Sequence, residues 1–181
     1  MIATPIFMFV MLAGFIPKHF TIALVIFVAA SITDYIDGNM ARKHNIVTNF
    51  GKFLDPLADK MLTTAAFIGL LALGAGRAMS IALFVILFRE FLVSSLRLVT
   101  LSSGGKVVAA NIWGKLKTVT QMAAIIFSLS AFALSEYINL SAVWPTIDLI
   151  IALLVWISTL LCVISGAIYL FECKDYIDPR K

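Results

Sequence analysis

The chain has 181 residues, of which 61% are apolar and 13% charged; a soluble domain carries about 25% charged and 45–50% apolar residues. This composition excludes a soluble globule, a disulfide scaffold and a disordered chain, and leaves an integral membrane protein of one domain, residues 1–181. The formal charge of +4 reads as basic residues gathered at a cytoplasmic membrane face, with no nucleic-acid partner implied.

Six apolar runs approach the roughly 20 residues that span a bilayer. They lie near Ile2–Ile16, His19–Arg42, Lys52–Leu73, Ala78–Leu101, Ile112–Leu134 and Thr146–Phe171. Turn chemistry separates them: Gly14 to Pro17, Gly74 to Gly76, Ser102 to Gly105, and Ser141 with Pro145. The expected fold is therefore all-α and polytopic, with six transmembrane helices and both termini on one side. If that side is cytoplasmic, the outer loops hold only Lys18 and Arg77 of the 14 Lys and Arg, as the positive-inside rule requires. The first run covers only about 22 Å of a roughly 30 Å hydrocarbon core. A short or tilted helix, or a chain beginning inside its first helix, accounts for that.

The second and third runs contain Asp34, Asp37, Asp55 and Asp59, four of the 10 acidic residues. An Asp at a helix centre costs about 2.5–3.5 kcal/mol to insert, so cations or a water-filled cavity must offset the four. Asp34 and Asp37 are spaced i, i+3, and Asp55 and Asp59 i, i+4, so each pair shares a helix face. Asp37 lies about 7.5 Å inside the cytoplasmic end of its helix and Asp55 about 6 Å inside the next, with Asp34 and Asp59 each about 12 Å in. Antiparallel neighbours joined by a short loop thus bring two facing carboxylate pairs into a box open to the cytosol. Such a box suits hard divalent cations, and two adjacent ions clamp a phosphoryl group during in-line displacement. The alternative is four aspartates paired with Lys and Arg of other helices. That alternative leaves unexplained why Gly38, Ala41 and Gly51 remove bulk at the mouth of the box, beside the planar cation of Arg42.

From Asp34 to Asp59 the chain meets every fixed position of D-x-x-D-G-x-x-A-R-x(8)-G-x-x-x-D-x-x-x-D. This pattern resembles the signature of the CDP-alcohol phosphotransferase family. The resemblance implies a six-helix membrane enzyme, usually a homodimer, that moves a phosphatidyl or similar group from a CDP-linked donor to an alcohol and releases CMP. It maps Asp34, Asp37 and Asp55 onto metal ligands, and Asp59 onto the general base and a further ligand. Gly38, Ala41, Arg42 and Gly51 map onto CDP-binding positions. The implied cofactor is Mg²⁺ or Mn²⁺, as two ions.

Later residues speak to the acceptor. Arg89-Glu90-Phe91, Leu96-Arg97 and Gly114-Lys115-Leu116-Lys117-Thr118 look like the phosphatidylglycerophosphate branch of the family, where R-E-F, L-R and G-K-x-K-T follow in this order. The Asn-rich, Pro-containing segment that usually opens that branch is absent from the sequence. The branch implies CDP-diacylglycerol as donor and sn-glycerol 3-phosphate as acceptor, in a bacterial plasma membrane with the site facing the cytoplasm. The charges agree independently. Arg97 and Lys115 each lie about 6 Å inside the cytoplasmic ends of their helices, level with the carboxylates, where they would bind a phosphorylated acceptor. Lys115 and Lys117 cannot share a face, so one of them is expected at the acceptor. Arg89, near mid-membrane, would line the floor, and Glu90 would orient a basic neighbour. Rival readings are another acceptor such as inositol phosphate, or, in a different class, a divalent-cation transporter. His19 and His44 lack partners at ligand spacing and are expected to be solvated, and Cys162 and Cys173 to be free thiols.

Overall fold

Hydrocarbon offers backbone amides no partner, so a chain this apolar satisfies them within helices. The computed structural model describes residues 3–44, 49–76, 78–102 and 112–177. Among these, six helices follow in chain order: α1 (Ala3–Leu12), α2 (His19–His44), α3 (Asn49–Ala72), α4 (Met79–Ser102), α5 (Ile112–Ser135) and α6 (Trp144–Ile177). Among the described residues there is no strand. Among the described residues, three helices are long and apolar enough to cross a bilayer: α4 over Met79–Arg97, α5 throughout, and α6 over Trp144–Cys173. The other apolar stretches among the described residues, Ala3–Leu12, His19–Asp34 and Lys60–Ala72, are shorter. Phe84, Phe88 and Phe91 on α4 and Leu153, Leu160 and Val163 on α6 are all exposed. A soluble monomer rarely leaves this much apolar surface in water; lipid is the solvent it suits.

The first helix ends at Leu12, short of the expected Ile16. Gly14 is a poor helix former, and Pro17 disfavours a helical conformation at Ile16. Ala13 to Lys18 therefore form a turn, closed by Ile16 N–H donating to the Ala13 carbonyl at 2.9 Å. The end of α3 is set by glycine. Gly74, at φ +73°, donates to the Leu71 carbonyl at 3.0 Å while Ala75 donates to Leu70 at 3.0 Å. This is a Schellman cap, whose left-handed residue carries least strain as glycine. Pro145 falls in the first turn of α6, where its missing N–H costs nothing.

The helices group into two compact units. One joins Met1–Ala75 with Ile125–Asp148; the other joins Gly76–Ala124 with Leu149–Lys181, so α5 and α6 contribute to both. In the first unit α1 lies against α2 and α3, and buried Phe7 and Phe27 meet at 5.6 Å between ring centroids. Phe20, Phe132 and Trp144 form a second aromatic row, each step 5.0 Å. In the second unit Met79, Ala82, Leu83 and Ile86 of α4 are buried, as are Ile151, Ala152 and Val155 of α6. Cys162 and Cys173 are both buried thiols.

A remote carboxylate caps α2. Lys18, just before the helix, is left-handed at φ 56° and lays its ammonium over the Tyr137 ring, 4.5 Å from the centroid. The first-turn amides are met instead from 115–116 residues away. Phe20 N–H donates to Glu136 Oε1 at 2.7 Å, and Thr21 donates to Oε2 through its N–H at 3.1 Å and its hydroxyl at 2.7 Å. His19 is drawn into the same cluster rather than left to solvent: its Nδ1 lies 3.2 Å from the Ile16 carbonyl and 3.6 Å from Glu136. Burial alone would raise the Glu136 pKa. The Thr21 hydroxyl, the two amides and His19 outweigh it and hold the carboxyl below the ordinary glutamate range. A depressed carboxyl stabilises the fold above its unfolded-state pKa, and that contribution disappears as pH falls through the folded value. Glu136→Ala should therefore lower stability by about 1–3 kcal/mol at neutral pH, since two amide donors lose their partner. The difference between variant and parent in thermal unfolding should shrink as the medium is acidified below the glutamate range.

Candidate active site

The signature residues fall at the two helix ends that flank the α2–α3 connection. Asp34 and Asp37 stand three apart on α2, and Asp55 and Asp59 four apart on α3. The helical backbone that the spacing argument needed is present on both sides. Asp34 is exposed, so its carboxylate is open to a ligand. Asp37, Gly38, Ala41 and Arg42 on α2, and Gly51, Asp55 and Asp59 on α3, have surroundings that lie outside the described residues; so does the expected level pairing of the four carboxylates. Lys60, next to Asp59, is half-buried. Arg77, used in reading the orientation, also lies outside the described residues.

The acceptor candidates belong to the second unit. Arg97 on α4 and Lys115 on α5 are exposed. Lys117, two residues beyond Lys115, occupies another face, as helical spacing dictates, and is buried. Its ammonium is bonded to Glu90 of α4. Arg89 donates from Nη1 to Glu90 Oε1 at 3.2 Å and from Nη2 to the hydroxyl of Ser165, on α6, at 2.7 Å. Glu90 thus does orient basic neighbours, and they are Arg89 and Lys117. Among the described residues, Arg89 Nε, Gln121 Nε2 and the Tyr169 hydroxyl are buried with no hydrogen-bond partner.

Two cations and one anion therefore meet where α4, α5 and α6 of this unit come together, among apolar helices where unpaired charge is costly. The trio is net positive. It can hold a long side chain in one orientation while keeping spare donor capacity for an anion. Sequence reasoning missed Ser165 and Gly166 in this cluster. Gly166 faces the Arg89 stem so closely that a Cβ there would lie 2.8 Å from Arg89 Cγ. A small pair in an apolar helix ordinarily signals packing alone, and nothing in the spacing marks it otherwise.

The sequence profile described as CDP-alcohol phosphatidyltransferase matches residues 1–164. A Bacillus subtilis protein named CDP-diacylglycerol–glycerol-3-phosphate 3-phosphatidyltransferase is 43% identical over 173 residues, covering 90% of this chain and 84% of its own. A protein of the same name from Rickettsia bellii is 40% identical over 156 residues, covering 84% and 78%. A third, from Haemophilus influenzae, is 38% identical over 106 residues, covering 58% and 57%. With a profile match over most of its length and relatives this similar, the chain belongs to the CDP-alcohol phosphatidyltransferase family.

Proposed function

We propose that the protein transfers the phosphatidyl group of CDP-diacylglycerol to sn-glycerol 3-phosphate, giving phosphatidylglycerol phosphate and CMP in phospholipid biosynthesis. The observation that carries this reading is the complete signature from Asp34 to Asp59, split between the ends of α2 and α3 that flank their connection, in a chain whose relatives bear that activity in their names.

The donor's acyl tails lie in lipid, and its nucleotide sits against Gly38, Ala41, Arg42 and Gly51, where the missing side chains let it approach the backbone. Arg97 and Lys115 take the acceptor phosphate, with Arg89 contributing from deeper in the helix. Asp59 accepts the proton of the acceptor hydroxyl as its oxygen forms a bond to the phosphorus bearing diacylglycerol. The bond from that phosphorus to the bridging oxygen breaks, and CMP leaves with the electron pair. The donor set of Asp34, Asp37, Asp55 and Asp59 is all carboxylate oxygen, which fits hard Mg²⁺ or Mn²⁺ rather than a soft metal. When bound there, two such ions would supply charge neutralisation for the pyrophosphate and the departing CMP. The excess of Lys and Arg on one side supports a cytoplasmic site in a bacterial plasma membrane, and the family resemblance supports a homodimer.

The test is CMP release from CDP-diacylglycerol by purified protein, offered glycerol 3-phosphate, inositol phosphate or a neutral alcohol. Glycerol 3-phosphate should be strongly preferred. Success of another alcohol where it fails would overturn the acceptor. Chelation should abolish release, and Mg²⁺ or Mn²⁺ should restore it; full activity in chelator would remove the metal from the reading. Arg97→Ala should raise the KM for glycerol 3-phosphate on the order of ten-fold or more, the worth of a charge-assisted bond, with the KM for donor unchanged. An unaltered acceptor KM takes Arg97 out of the site.

A further inference from the structure

We infer that Ser165 and Gly166 of α6 are positioning residues for the acceptor, acting through Arg89. This inference rests on the reading of Arg89 as an acceptor-phosphate ligand.

Three observations define how Arg89 is held. Its Nη2 donates to the Ser165 hydroxyl at 2.7 Å, and its Nη1 to Glu90 at 3.2 Å. Its stem runs over Gly166, where a Cβ would stand 2.8 Å from Cγ, 3.5 Å from Nε and 3.7 Å from Cδ. Its Nε is buried, with no hydrogen-bond partner among the described residues. Both terminal nitrogens of the guanidinium thus donate to protein groups, and each carries a second N–H that an anionic oxygen can take.

Ser165 behaves unlike its neighbours on the same helix. Ser158 and Thr159 turn their hydroxyls back to the Val155 carbonyl at 2.8 Å, the habitual local bond of such residues in helices. Ser165, buried to 2% exposure, instead accepts from a guanidinium on another helix. Gly166 leaves the channel that makes this reach possible. The contact falls at Cγ, near the root of the side chain, so relief would need rotation about the first torsions. That rotation would swing the guanidinium away from both Ser165 and Glu90. The helices cannot simply part, because one turn further on Val93 of α4 clusters with Tyr169 and Cys173 of α6, with Leu92 and Leu96 packed against them. α6 therefore sets the direction of a cation carried by α4.

The experiment is steady-state CMP release by the purified full chain, with Ser165→Ala, Gly166→Ala, Arg89→Ala and the two double variants containing Arg89→Ala. Ser165→Ala and Gly166→Ala should each raise the KM for glycerol 3-phosphate roughly ten-fold, with the KM for CDP-diacylglycerol within two-fold of the parent, about what losing one charged hydrogen bond implies. In the Arg89→Ala background neither change should have any further effect, because the stem and head group they act on are gone. If Arg89→Ala raises the acceptor KM but Ser165→Ala leaves it at the parent value, the positioning role is wrong and the acceptor reading stands. If Arg89→Ala leaves the acceptor KM unchanged, the acceptor reading of Arg89 fails and this inference with it. If the α6 changes add their full effect on top of Arg89→Ala, they act through packing, and the inference is overturned. Should Gly166→Ala not yield folded protein, Ser165→Ala decides alone.

Discussion

Replacing Asp59 by Asn is expected to lower turnover by about 10²–10⁴-fold, the range for loss of a general base, while CDP-diacylglycerol binding stays close to that of the parent. Asn preserves the size of the side chain and one oxygen for a cation, but it cannot take up the proton of the acceptor hydroxyl. The same exchange at Asp55 should behave differently. Asp55 stands one helical turn earlier on α3; in the proposed mechanism it holds metal and takes no proton, so its loss should weaken metal-dependent donor binding together with turnover. The two variants thus separate proton transfer from metal and pyrophosphate binding. Rates of CMP release at saturating donor, set beside donor affinity measured without acceptor, read out both. Asp59→Asn turning over at the parental rate would refute the base assignment.

Much of the scaffold was legible because lipid narrows the choices. An apolar run of about 20 residues has only one regular structure open to it in hydrocarbon, so helix beginnings and ends could be read from Gly, Pro and Ser without weighing propensities. The departures are local. α1 stops at Leu12 because backbone restrictions at Gly14 and before Pro17 act inside a run that hydropathy alone treats as continuous. α6 runs on to Ile177, past the expected Phe171, because a helix need not end where its apolar character does. The carboxylate spacing was legible for a similar reason: on a helix, i, i+3 and i, i+4 fix faces once the backbone is known. Pairings over long sequence separations were not. Glu136 capping α2 spans 116 residues, and Arg89 reaching Ser165 spans 76. No periodicity in either segment encodes its partner. Glu90 lies between these cases. A lone acid in a buried, basic neighbourhood announced that it would orient a cation, but only the packing of α4 with α5 selected Lys117.

That selection sets the largest expected effect on stability. Glu90→Ala should destabilise the protein by about 3–5 kcal/mol, the usual cost of stranding a buried charge. The Glu90 side chain is 13% exposed, as is that of Arg89, and that of Lys117 is 9% exposed. Removing the anion leaves two cations in a region where water is scarce, and long side chains so enclosed cannot reach solvent without displacing packed neighbours. Glu90→Gln should cost less, because the amide oxygen still accepts a hydrogen bond, yet it cannot balance the ammonium. The compensating change is equally specific. Glu90→Gln combined with Lys117→Met removes one charge of each sign, leaves Arg89 on Ser165, and should recover most of the loss, since an apolar side chain of similar length is at home among α4, α5 and α6. Thermal unfolding in detergent measures all three. If Glu90→Ala unfolds at the parental temperature, the Glu90–Lys117 pair does not offset buried charge, and α5 must be held against α4 by its apolar contacts alone.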